Sequence, residues 1–205
     1  MYIPAHFAES DRVVLHEFIE KNSFGLLVAN QGGEPFASHL PFLLKRDAGR
    51  HGTLIGHMAK ANPQWQSAEG QSVLAIFSGP HAYISPSWYS SPRTVPTWNY
   101  VAVHAYGIFR AIHEPQALGE IVRDMVAMFE LPDSTWQLDT ESDFFRKLLP
   151  QIVGFRIEIE RLEGKWKLNQ NHPLERRKKA IAALELQGDE NARTIAEMMR
   201  RIDPI

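Results

Sequence analysis

Three apolar, strand-like segments follow one another with only short polar turns between them, and this succession constrains the fold more than any other feature. Phe24-Gly25-Leu26-Leu27-Val28-Ala29 reads as a buried strand, and Gln31-Gly32-Gly33-Glu34 as a turn. From Phe36 to Leu44 the chain alternates: Phe36, Ser38, Leu40 and Phe42 share one face, and Ala37, His39, Pro41 and Leu43 the other. Residues 46–52 form a second turn, and Thr53 begins a third strand that runs to Met58. Strands joined by tight turns pair antiparallel, whereas parallel neighbours need a crossover of a dozen or more residues. A hairpin-built antiparallel sheet is therefore expected in place of a doubly wound parallel one. Pro41 cannot donate to a ladder, which points to an edge or a bulge.

The remaining segments fit around that sheet. Ser10-Asp11 opens a helix carrying Val14, Leu15, Phe18 and Ile19, closed near Asn22. Asn62-Pro63 starts a short helix to Ala68. Ser72–Phe77 is a buried strand, broken by Ser78-Gly79-Pro80, and His81–Ile84 a further short one. Residues 85–93 form a Pro- and Ser-rich loop that carries Trp88 and Tyr89. Thr97–Tyr100 leads into a strand over Val101–Ala111. Glu114-Pro115 starts a helix whose stripe of Leu118, Ile121, Val122, Met125, Met128 and Phe129 is core, and Leu131-Pro132-Asp133 ends it. A short helix over Asp143–Leu149 stops at Pro150. Val153, Phe155, Ile157 and Ile159 then alternate as a half-buried strand up to a turn at Glu163-Gly164. From Pro173 onward two helices meet at Gly188-Asp189. The expected architecture is mainly β: a six- to seven-stranded antiparallel Greek-key barrel over residues 1–172, with peripheral helices. A C-terminal helical pair over residues 173–205 is expected to pack on the barrel without forming an independent domain.

Composition excludes several classes of chemistry. The chain has no cysteine, which removes disulfides, thiolate zinc sites and cysteine nucleophiles. A net charge of −2 is no footprint for bulk nucleic-acid binding. No apolar run is long enough to span a bilayer, and residues 1–6 lack the pattern of a secretory signal, so a cytoplasmic, membrane-free protein is expected. The nine histidines are scattered, with no pair at a recognised ligand spacing, and no metal site is expected. Nucleophile-elbow, dinucleotide and Walker fingerprints are absent from the sequence.

Three stretches carry candidate chemistry. In Gly56-His57-Met58-Ala59-Lys60-Ala61-Asn62-Pro63-Gln64-Trp65 a lysine stands just before a helix start. Positive charge and unpaired N–H groups there favour a phosphate, although the same residues also describe a capped surface helix behind a solvated lysine. Trp98-Asn99-Tyr100 offers a stacking surface beside an amide, which suits the edge of a planar heterocycle, and equally suits a strand anchor and a turn. Lys165-Trp166-Lys167-Leu168-Asn169-Gln170-Asn171 sets an aromatic between two cations, followed by three amides.

Together with Met1–Phe7, Ser38-His39-Leu40-Pro41-Phe42, residues 77–89 and Val95-Pro96-Thr97-Trp98-Asn99-Tyr100, these motifs resemble the PaiB-type family of FMN-binding negative transcriptional regulators, in the family's order from Met1 to about Met199. The resemblance implies an FMN-binding split barrel, related to the pyridoxamine-phosphate oxidases and small flavin reductases, that pairs as a homodimer with flavins in the grooves between subunits. It implies a phosphate site at His57, Met58, Ala59 and Lys60, and contact of the flavin ring edge with Ser38, His39, Leu40 and Pro41. Trp98 and Asn99 would come from the partner subunit or the far wall, and Trp166 and Gln170 from the segment that closes over the ring. Two departures stand out. Asn169 occupies a position where the family has Ser. Ala59 stands where the oxidases have an arginine before the lysine, so either the phosphate is held more weakly or His57 or Arg93 stands in.

The resemblance makes an FMN-binding regulator the first reading. An FMN-dependent oxidoreductase is the alternative, although no residue nominates itself as a catalytic acid. A haem-binding split barrel with His81 or His104 as ligand is a second alternative. Direct DNA binding has little support in the tail: residues 173–205 carry seven Lys or Arg against six Asp or Glu.

Overall fold

The computed structural model describes residues 1–89, 94–131 and 133–202. Arg93, one candidate for the second cation, lies outside the described residues, as do Ser90, Ser91 and Pro92 of the Pro- and Ser-rich loop and Pro132 of the helix stop.

Eight strands form: β1 (Ala8–Glu9), β2 (Phe24–Gln31), β3 (Glu34–Pro41), β4 (Leu43–Lys45), β5 (Thr53–Ala59), β6 (Ser72–Ile84), β7 (Thr97–Ile112) and β8 (Ile152–Lys167). The helices are α1 (Arg12–Lys21), α2 (Gln64–Ala68), α3 (Pro115–Phe129), α4 (Asp143–Leu148), α5 (Leu174–Leu186) and α6 (Glu190–Ile202). Seven strands follow the order β3-β2-β6-β7-β8-β5-β4, and β1 pairs with β8 off this path. Every pair with a defined register is antiparallel, including the hairpin of β2 and β3 from Gln31↔Glu34 to Phe24↔Pro41. The mainly β, antiparallel class expected from the hairpin pattern is the one observed, as the split barrel that the resemblance implies requires.

Two compact units divide the chain. One comprises His16–Phe77 and His104–Leu162, and the other Met1–Leu15, Ser78–Val103 and Glu163–Ile205. In the first, which we call the β5 unit, the two ends of the strand order, β3 and β4, are consecutive in sequence with Phe42 alone between them. The sequence pattern ran Phe36–Leu44 as one strand. The chain instead leaves β2 at Pro41 and joins β5 at Leu43. Pro41 has no N–H with which to extend the ladder, and Phe42 N–H turns to the Ser23 carbonyl at 2.8 Å. Phe42 is fully buried, with its ring edge-on to Phe77 at 5.4 Å and to Phe155 at 5.8 Å, and Phe155 stacks on Phe109 at 5.3 Å. Burying each ring contributes about 2–3 kcal/mol, and each favourable ring pair about 0.5–1.5 kcal/mol more.

The second unit, here the tail unit, packs α5 against α6 through Ala180, Ile181, Leu184, Ile195 and Met199, all buried. Two expected interruptions do not occur. β6 runs unbroken through Ser78-Gly79-Pro80, and β8 runs through Glu163-Gly164 to Lys167. Gly164 serves close approach in place of a turn. It pairs with Glu9 of β1, and a Cβ there would lie 2.3 Å from the Leu15 side chain and 2.9 Å from the Glu9 carbonyl.

Candidate functional site

In the β5 unit, Lys60 follows directly on β5, whose last pair is Ala59↔Ile152. Its N–H donates to the Gln151 carbonyl at 2.8 Å, and its own carbonyl accepts from Trp65 Nε1 at 3.0 Å. The turn that follows is locked by Asn62. Asn62 Oδ1 accepts from Gln64 N–H at 3.0 Å, and Pro63 is already helical at φ −70°, ψ −12°, so the pair starts α2 as the sequence indicates. Asn62 Nδ2 donates to Ser38 Oγ at 2.8 Å, which ties β3 to this turn. Gln64, fully buried, donates to the carbonyls of Leu27 and Phe36 at 2.9 and 3.1 Å. Nothing in the sequence distinguishes Gln64 from an ordinary helix residue. Only its burial between β2 and β3 gives it this clamping role.

The Lys60 side chain is exposed and lines a cleft of about 280 Å³ with His113 and Arg146, over an apolar floor that includes Leu118, Leu149 and Ile152. None of the described lining residues is Asp or Glu. Arg146 reaches the rim from α4, where Glu141 at 3.0 Å and Asp143 at 3.7 Å hold its guanidinium in exposed ion pairs. His113 is fixed by the Trp65 ring, edge-on at 5.3 Å. A second cation therefore accompanies Lys60, and it comes from α4. His57 faces elsewhere: its Nδ1 lies 3.1 Å from Met125 Sδ, and burial lowers its pKa, which favours the neutral imidazole. Met58 is core, and Ala59 is exposed. On β3, at one end of the strand order, Leu40 is buried, Ser38 and Pro41 are half-buried, and exposed His39 stacks on Phe24 at 6.3 Å.

The tail unit holds the other four candidates. Trp98 is 53% exposed, beside Tyr83 at 5.8 Å and His81 at 6.1 Å. Asn99 is fully buried, with Nδ2 3.4 Å from Met199 Sδ, and its Oδ1 has no partner among the described residues. Trp166 is buried. Gln170 folds back on its own turn, donating to the Trp166 carbonyl at 2.6 Å and accepting from Leu168 N–H at 2.8 Å. Between them Asn169 adopts φ +65°, a left-handed conformation that Asn tolerates better than most residues, and it donates to the Tyr89 hydroxyl at 2.9 Å. That conformation gives a physical reason for Asn at this position. Of the candidate haem ligands, His81 is exposed and His104 is half-buried with its pKa lowered by burial; they belong to different units.

Residues 1–161 match the family described as "Putative FMN-binding domain". The chain belongs to this family. FMN is the cofactor that membership assigns. The "Protease synthase and sporulation protein PAI 2" of Bacillus subtilis (strain 168) is 39% identical over 203 residues, covering 97% of this chain and 96% of the relative. Among solved structures, the flavocytochrome Anf3 from Azotobacter vinelandii superposes with a TM-score of 0.63 at 15% identity, over 80% of this chain and 72% of that one. The FAD and heme binding protein from Mycobacterium smegmatis gives 0.62 at 16% identity, over 86% and 79%. At such identities these two likenesses establish the fold alone. The Lys60 cleft fits the family's cofactor on its own chemistry. Two cations and an imidazole above an apolar floor suit a phosphate ester carried on an organic body. No described helix is long and apolar enough to cross a membrane.

Proposed function

We propose that the chain is a cytoplasmic, FMN-binding homodimer of the PaiB type that acts as a negative regulator of transcription. The observation that carries the reading is the basic cleft at Lys60, inside the segment that matches the FMN-binding family. Lys60 and Arg146 hold the phosphate, with His57, Met58 and Ala59 fixing the strand end that presents Lys60. The β3 edge at Ser38, His39, Leu40 and Pro41 faces the ring. Trp98, exposed beside Tyr83, is the member of the second group open to another copy of the chain. Asn99, Trp166 and Gln170 shape that wall from behind, since their side chains are buried or engaged in their own turn. The regulatory part of the reading rests on the motif resemblance to the PaiB-type family.

Bound flavin would supply electron-transfer chemistry. The protein's part is to place it, shield it and set its surroundings. The oxidoreductase alternative draws no specific support from the side chains around the Lys60 cleft.

The test is the visible spectrum of the purified chain with and without added FMN, paired with light scattering. A flavin spectrum that saturates at one FMN per subunit in a dimer supports the reading. A colourless chain that leaves FMN fluorescence unchanged overturns it. Loss of promoter-selective DNA binding would remove the direct regulatory part, and bleaching by a reduced nicotinamide would replace it with the oxidoreductase.

A further inference from the structure

Lys167, His172 and Arg176 line a cleft of about 290 Å³ in the tail unit, together with Tyr89, Asn169 and Asn171. The described lining residues include no Asp or Glu. Glu175, the first acidic residue of α5, is exposed and lies 3.7 Å from Lys178.

The side chains around this cleft are held in place. Lys167 Nζ donates to Thr97 Oγ1, and to the Trp98 carbonyl at 2.8 Å. Asn169 is 2% exposed and Tyr89 4%, and they are joined to each other by the 2.9 Å hydrogen bond. The Tyr89 ring has His172 at 5.6 Å and the Arg176 guanidinium at 5.7 Å. The cations also act on one another. Burial lowers the pKa of Lys167, and Lys165 adds to the effect. Burial lowers that of His172, and Arg176 and Lys167 add to it. A cleft that disfavours its own positive charges is stabilised by an anion, which relieves the repulsion and favours a protonated His172.

Thr94, Val95, Pro96 and Thr97 complete the lining, so five of the ten described lining residues lie beyond residue 161, where the match to the FMN-binding family stops, and these five include Lys167, His172 and Arg176. The basic side chains of the cleft therefore lie outside the matched segment. We propose that it is a second anion site, taking a small phosphate-bearing molecule other than the flavin. Lys167 acts as a point charge, Arg176 as the directional donor, and His172 as a group that gains a proton when the anion enters. This assignment does not depend on the flavin reading.

The test follows the His172 imidazole by NMR in the full chain, without flavin and saturated with FMN, as inorganic phosphate is added at constant ionic strength. The expected result is a saturable upward movement of the His172 titration midpoint, the same with and without FMN, and absent with acetate. Arg176→Gln should weaken phosphate about tenfold, as loss of one charge-assisted hydrogen bond implies, while Arg176→Lys retains part of the affinity. Lys167→Met should act likewise. Should that variant fold poorly, the Arg176 pair carries the test alone. Lys60→Ala should leave the response intact. An unmoved midpoint, an equal response to acetate, or a response that Lys60→Ala abolishes overturns the proposal. So does an FMN-saturated chain in which the phosphate response has vanished, because the cleft would then belong to the flavin. A chain that takes up no FMN refutes the functional reading only, and the flavin-free titration still decides this one.

Discussion

Lys60→Ala should separate binding from folding. The side chain is exposed, and the hydrogen bonds that anchor this position, to the Gln151 carbonyl and from Trp65 Nε1, use its backbone. Truncation should therefore change folding stability by no more than about 0.5 kcal/mol. If Lys60 contacts the FMN phosphate, the same change removes one charge-assisted hydrogen bond worth about 1.5–3 kcal/mol, or roughly 10- to 150-fold in Kd. Riboflavin has the same ring and sugar chain without the phosphate, so its affinity should hardly move. Arg146→Ala should behave in the same way, because its ion pairs with Glu141 and Asp143 are exposed and add little to stability. The assay is fluorescence titration of both flavins against wild type and the two single variants, with urea unfolding of each variant in parallel. Equal losses for FMN and riboflavin would refute the phosphate assignment. A drop in stability with FMN affinity unchanged would show that Lys60 is structural.

Phe155→Ala should cost about 3–5 kcal/mol in urea unfolding, since the ring packs on both Phe42 and Phe109; a loss below about 1 kcal/mol would contradict that packing. Asn169→Ala should destabilise by about 2 kcal/mol, combining left-handed backbone strain with the lost bond to Tyr89, whereas Asn169→Gly should lose only the bond; equal losses would argue against the backbone account. His57 has a pKa lowered below its ordinary 6.5 by burial. Its contribution is therefore fully present above that value and declines as pH falls through the lower folded-state pKa, where protonation favours the unfolded chain. Stability measured downward from neutrality should decline less steeply in His57→Gln, and an unchanged slope would assign the decline to other groups.

Much of the barrel was legible because alternation and turns are local properties. Phe36 to Pro41, Thr53 to Met58 and Val153 to Ile159 all stand as strands with the expected periodicity. The misreadings came where one residue answers to tertiary neighbours. Gly164 resembles a turn residue, yet its lack of a side chain admits Leu15 and the Glu9 backbone. Phe42 belongs by alternation to one long strand, yet at that residue the chain passes from pairing with β2 to pairing with β5. The site divides along similar lines. Lys60 was legible because Asn62-Pro63 announces a helix start beside it. Arg146 was not, because only packing brings α4 to the same cleft. The resemblance gives Gln170 to the segment that closes over the ring, and its amide also closes the turn that sets Asn169 in its unusual conformation, which only the folded chain reveals.

The interleaving of the two units in sequence also orders events during synthesis. Every segment of the β5 unit has been translated by Leu162, whereas the tail unit lacks its last segment until residues 163–202 leave the ribosome. The unit that carries Lys60 can therefore assemble on the nascent chain first. A message interrupted after residue 162 would specify all of the β5 unit, while residues 163–202 alone carry the last five residues of β8 with α5 and α6, without β1 and the Ser78–Val103 segment of their own unit.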